Sequence, residues 1–168
     1  MTYLLAVVAA ALSMLMTAGM AGTFFGFSAG VMPGLNAASA PSAVDAMNAV
    51  NARIQNPVFL AAFVLAPVAA AGAGALLLTT PRSGAAWPFF AAAGVYAVGV
   101  ILITAAVNVP MNDALAAAAA HGGPAEAAAR IWSDYSARWT TWNTWRAVSG
   151  AVSLLLTGYG VYRWGRGA

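Results

Sequence analysis

The chain has no cysteine, one histidine, no lysine and only four acidic residues in 168. Without thiols there can be no disulfide framework, thiolate metal site, iron–sulfur cluster or cysteine nucleophile. A single histidine, His121, supplies neither a haem pair nor a three-histidine zinc site, so no metal and no cofactor are expected. Charged residues make up 7% of the chain, against roughly 25% in an ordinary soluble domain, while 62% of residues are hydrophobic. Water is therefore not the solvent for most of this surface, and an integral membrane protein in contact with the lipid bilayer is expected. A net charge of +3, scattered along the chain, does not suit nucleic acid.

What is present is organised around four apolar stretches, about 3–32, 57–80, 87–108 and 142–162. At about 1.5 Å per residue each can cross a hydrocarbon core of about 30 Å. The first lacks the basic leading region of a cleaved signal peptide and reads as a retained helix. Pro57 opens the second, Pro81-Arg82-Ser83-Gly84 follows it, and Arg163-Trp164-Gly165-Arg166 closes the fourth as an interfacial anchor. The expected fold is all-α: one integral membrane domain over 1–168, a four-transmembrane-helix bundle with two long helical connections on the outer face. Arg82, Arg163 and Arg166 stand without acids on the side of the termini, whereas Arg53, Arg130 and Arg138 on the long connections are offset by Asp45, Asp113, Glu126 and Asp134. The positive-inside bias puts both termini in the cytoplasm, with a bacterial plasma membrane as the expected location.

The connections have patterns of their own. Over Ser42 to Gln55, Met47, Val50 and Ile54 form an apolar stripe beside Asn48, Asn51 and Gln55, which predicts an amphipathic helix on the rim of the bundle. His121-Gly122-Gly123-Pro124 breaks the second connection. Glu126, Arg130, Asp134 and Arg138 alternate in sign at a spacing of four, as on a solvated helix face. Trp132, Tyr135, Trp139 and Trp142 recur at helical spacing, as either an interfacial belt or a wall turned toward the bundle. Ala18, Gly22, Gly26, Gly30 and Gly34 lie exactly four apart in the sense of one small-residue face, which predicts close contact with another helix of the bundle or with a second copy.

Polar residues inside the apolar stretches concentrate in two places. Thr104, Asn108 and Asn112 line one face of the third, with Asp113 beside them and Pro110 bending or ending the helix. Trp139, Trp142, Asn143 and Arg146 share a face of the fourth, and Arg146 lies about a turn inside its apolar limit. A guanidinium at that depth costs roughly 2.5 kcal/mol or more unless it is paired or wetted, which marks a functional site, although snorkelling to the interface competes with that reading. Asp113 is the expected partner of Arg146, with a water-filled cavity as the alternative.

These residues carry a resemblance. Gly26-Phe27-Ser28 with Val31-Met32-Pro33-Gly34-Leu35, Asn51-Ala-Arg-Ile54-Gln-Asn56-Pro57-Val-Phe59, Thr104-xxx-Asn108-Val-Pro110-Met-Asn112-Asp113-xx-Leu115 and Trp142-Asn143-xx-Arg146 together resemble the anthrone oxygenase-like family of small four-helix membrane proteins. The resemblance implies oxidation of a flat phenolic substrate by O₂ as co-substrate, in a pocket on the outer face. On that reading Asp113 or His121 is the candidate base and Arg146 a candidate catalytic anion stabiliser. Asn51, Thr104, Asn108, Asn112, Trp139, Trp142 and Asn143 are candidates for holding a small aromatic molecule. The alternative is a non-enzymatic membrane module, a binder of a lipid or quinone-like ligand or an assembly subunit, which could form a homo-oligomer through Gly22, Gly26 and Gly30.

Overall fold

The computed structural model describes residues 1–122 and 124–167, all helical or connecting, with no strand among them. Helix α1 (Thr2–Gly26) runs through a widened π-helical stretch, Phe27–Val31, into α2 (Met32–Ala37). Ser39 caps α3 (Ala40–Ile54), its hydroxyl accepting the Ser42 N–H. Asn56 caps α4 (Pro57–Leu78), its side-chain oxygen accepting the N–H groups of Val58 and Phe59 at 3.1 and 3.0 Å. A short turn leads to α5 (Trp87–Tyr96), two π-helical stretches (Ala97–Leu102 and Thr104–Asn108) and α6 (Val109–Ala120). After the break at His121 and Gly122, where Gly122 takes φ +63°, α7 runs unbroken over 41 residues from Ala125 to Gly165.

Pro110 neither ends nor breaks its helix. A wider turn lies immediately before it, as another lies before Pro33. Proline has no N–H, and its ring crowds the carbonyl four residues back; a π-helical turn moves that carbonyl out of the way.

Three helical runs, Thr2–Ala37, Pro57–Leu78 and Ser83–Ala120, are long and apolar enough to cross a membrane, as in an integral membrane protein. The lower half of α7, expected as a fourth span, is not among them. Its polar and small residues lower its mean hydropathy, and those that are buried share one face. Asn143, Arg146, Gly150, Ser153, Thr157 and Gly160, spaced alternately three and four apart, are buried against the bundle, while Trp145, Leu155 and Tyr162 face outward. On α1 the buried seam is Ala6, Ala10, Ser13, Thr17, Met20 and Phe24, with Leu4 and Leu15 outside. Small and polar residues inside with large apolar ones outside is the arrangement helices adopt in lipid, where close packing and interhelical hydrogen bonds hold them together. Ser13 and Ser153 make such bonds, to the carbonyls of Ala66 and Ala92.

The expected glycine contact is not formed within the chain. Gly22, Gly26, Gly30 and Gly34 are exposed, with open space where a Cβ would sit. The close approaches fall elsewhere: a Cβ on Gly150 would lie 3.0 Å from the Cβ of Ala21, and one on Gly160 would meet the ring of Phe89. A small-residue stripe permits approach on its face without determining which face the rest of the fold turns inward.

Helix α3 lies across the end of the bundle as its amphipathic pattern predicts, burying Ala43, Val44 and Met47 in a cluster with Met32, Leu115, Trp132, Tyr135 and Trp139. Below that cluster lies the site.

Candidate functional site

A cavity of about 320 Å³ is lined by residues of α1, α3, α4, the 101–112 segment and α7. Phe24, Phe27, Phe59, Phe63 and Trp139 give it aromatic walls. Its polar side chains are Asn51, Asn108, Asn112, Thr104 and Arg146, with Thr23 and Gln55 at the edge.

Arg146 comes from the buried seam of α7 and is 6% exposed. Its Nη2 donates to Asn143 Oδ1 at 2.8 Å and its Nη1 to Thr104 Oγ1 at 3.2 Å, while Nε has no partner. The guanidinium lies 4.5 Å from the centre of the Phe24 ring and 5.4 Å from that of Trp139, an arrangement in which aromatic faces stabilise a cation. Asn143 is held in turn, its Nδ2 donating to the Phe24 carbonyl at 2.6 Å and to Ser28 Oγ at 2.7 Å. The hydrogen-bond and ring partners of Arg146 are therefore neutral among the described residues.

Asn108 is 1% exposed, and neither its Nδ2 nor its Oδ1 has a partner; the Asn51 Nδ2 also has none. Leaving such groups unpaired costs about 1–3 kcal/mol each, and in a native interior they are normally satisfied by protein, water or ligand. Asn112 is differently occupied. Its Oδ1 accepts both the Tyr135 hydroxyl at 2.8 Å and the Trp139 indole N–H at 2.9 Å, which fixes the Trp139 ring as a wall. Burial pushes the Tyr135 phenol above its ordinary value, opposed by the neighbouring Asn51 amide and the Arg146 charge. Trp139 also packs against Phe27, with ring centres 5.8 Å apart, and against Tyr135 at 6.2 Å, so the aromatic stripe of α7 turns inward.

Six of the expected site residues, Asn51, Thr104, Asn108, Asn112, Trp139 and Arg146, meet at this cavity. Asn143 is buried behind Arg146 and positions it. Trp142 is half-buried and outside the lining. The expected pairing of Arg146 with Asp113 is not formed: Asp113 is exposed, one residue past Asn112 and so about 100° around the helix from it. His121 is exposed at the end of α6, with Nδ1 against the Ala117 carbonyl at 2.7 Å. Neither candidate base reaches the cavity. The aromatic walls from α1 and α4 were not anticipated from the sequence, although Phe24 with Phe27 and Phe59 with Phe63 stand at same-face spacing.

The arrangement sets guanidinium and amide groups beside the aromatic walls of one cavity. Among the described residues no group of three or more His, Cys, Asp or Glu is placed to hold a metal ion. No curated protein and no solved structure matches the chain. The anthrone oxygenase family matches residues 56–156, more than half of the chain, and the chain belongs to that family.

Proposed function

We propose, for this member of the anthrone oxygenase family, that the chain is a membrane-embedded oxygenase that oxidises an anthrone-like phenolic substrate in the cavity beneath α3, with O₂ as co-substrate. The observation that carries the reading is the pair of unsatisfied groups, the whole amide of Asn108 and Nε of Arg146, buried beside an aromatic-walled cavity. A bound ring system that presents a ketone oxygen to the Asn108 Nδ2 and Arg146 Nε donors and a hydroxyl to the Asn108 Oδ1 would satisfy them.

The chemistry follows from the substrate. Loss of a proton from the ring methylene of an anthrone places negative charge on the oxygen across the ring. Arg146, with donors fixed by Asn143 and Thr104, stabilises that oxyanion and makes the methylene more acidic. Asn108 donates to the same oxygen or accepts from a neighbouring hydroxyl. The proton passes to water, since no carboxylate or imidazole lines the cavity. The anion transfers one electron to O₂, the substrate radical and superoxide join at the former methylene carbon, and the peroxide loses water to leave a carbonyl. The balance is CH₂ plus O₂ giving C=O plus H₂O.

The lower half of α7 forms the fourth crossing in this reading, since its outward face is apolar even though its mean composition is not. The chain is then one membrane domain, with α3 and the 110–141 connection on the outer face of a bacterial plasma membrane and both termini in the cytoplasm.

A second reading, a non-enzymatic binder of a quinone-like ligand, is favoured by the same lack of an acid or histidine in the lining. Purified protein incubated with an anthrone under air and under nitrogen separates the two. The oxygenase consumes one O₂ per quinone formed, faster than the uncatalysed reaction; a binder takes up the product without accelerating its formation.

A further inference from the structure

On the terminal side of the bundle α4 packs tightly on α5, where a Cβ on Gly74 would lie 3.1 Å from the Phe90 ring. At the opposite end the cavity occupies the space between α4 and the 101–109 segment. Two residues lining it there are also exposed on the outside of the bundle, Leu60 at 45% and Val109 at 40%. Ala105, also in the lining, is exposed as well. Val64, one turn along α4 from Leu60, is exposed too, and the exposed polar residue of the lining, Gln55, lies at the α3 end of the cavity. Leu60 and Val109 both belong to runs apolar enough to cross a membrane. By contrast the exposed positions of α3 above the cavity include Asp45 and Arg53.

We propose that the cavity opens sideways, between Leu60 and Val109, into the hydrocarbon edge of the bilayer, and that its ligand arrives dissolved in lipid. An opening rimmed by Leu and Val offers a polar solute nothing in exchange for its hydration, whereas a flat apolar molecule already in the membrane passes without leaving its solvent. The ligand class is thus a membrane-partitioned aromatic whose carbonyl oxygen, or the oxyanion formed from it, is the group recognised by Arg146 and Asn108. This rests on the ligand reading of the site given above. O₂, which is more soluble in hydrocarbon than in water, uses the same opening.

The absence of cysteine allows single nitroxide labels at Leu60→Cys and Val109→Cys, with exposed Ala52→Cys on α3 as the aqueous reference, in lipid nanodiscs. Labels at 60 and 109 should collide predominantly with O₂ and the label at 52 predominantly with a water-soluble nickel chelate. Adding anthraquinone to the bilayer should slow the motion of the labels at 60 and 109 and not at 52. Nickel accessibility at 60 and 109 equal to that at 52, or no response to anthraquinone at either, overturns the proposal. Val64→Cys, exposed one turn along α4 from Leu60 and outside the cavity lining, repeats the collision measurement should labels in the mouth disturb folding. Neither arm reads turnover. A lipid-facing mouth without anthrone oxidation would remove the oxygenase reading alone, and oxidation with water-facing lips would remove this proposal alone.

Discussion

Arg146 on α7 donates to Thr104 on the helix opposite at 3.2 Å, and this bond joins the buried seam of one helix to the π-helical stretch of another. Thr104 can accept because its own hydroxyl proton goes to the Val100 carbonyl at 2.7 Å. The cation is thus held in place by neutral oxygens and aromatic faces, with its charge left available to the cavity.

Arg146→Met should separate stability from function. A buried charge without a counter-charge is costly, and an apolar replacement of similar length is often neutral or stabilising. The thermal midpoint in detergent should hold or rise while anthrone turnover falls by about 100-fold or more, the typical cost of losing one oxyanion donor. Loss of the fold with loss of turnover would make Arg146 structural.

Asp113→Asn and His121→Ala should each leave turnover within about twofold of the parent, because surface changes away from a site rarely exceed about 0.5 kcal/mol. Both residues are exposed and neither lines the cavity. A large loss in either variant would place the base outside the pocket described here.

Asn112→Leu should loosen the aromatic wall. It strands the Tyr135 hydroxyl and the Trp139 indole N–H, each at about 1–3 kcal/mol for a buried unsatisfied donor. A lower thermal midpoint with a shift in tryptophan fluorescence is expected, and an unchanged spectrum would mean that Asn112 does not hold Trp139.

Gly150→Leu should destabilise by about 1–3 kcal/mol, the usual cost of overpacking, since its site is closed by Ala21. Gly26→Leu should leave the unfolding midpoint of the monomer in place, because its Cβ position is open. Should Gly26→Leu instead change the size of the detergent-solubilised particle, the exposed glycine face is a contact between copies.

Reporter fusions at the C-terminus and within 42–55 should read opposite sides of the membrane if the lower half of α7 crosses it. The same side for both would show that it does not.

The membrane character of the chain was legible from composition, because a charge-poor chain with 62% hydrophobic residues has only lipid as a plausible solvent. The rim helix and the common face of Asn108 and Asn112 followed from helical spacing, which places residues on one face of one helix, and the break at His121 and Gly122 followed from the glycines and proline of the sequence. Spacing has no access to rotation and pairing between helices. Packing of whole helices decided that Gly150 rather than Gly26 meets a neighbour, that Asp113 turns to the surface while Asn112 turns in, and that phenylalanines of α1 and α4 complete the cavity. In lipid the inward face is chosen by close fit and by polar groups that must find partners, and both are properties of several helices together.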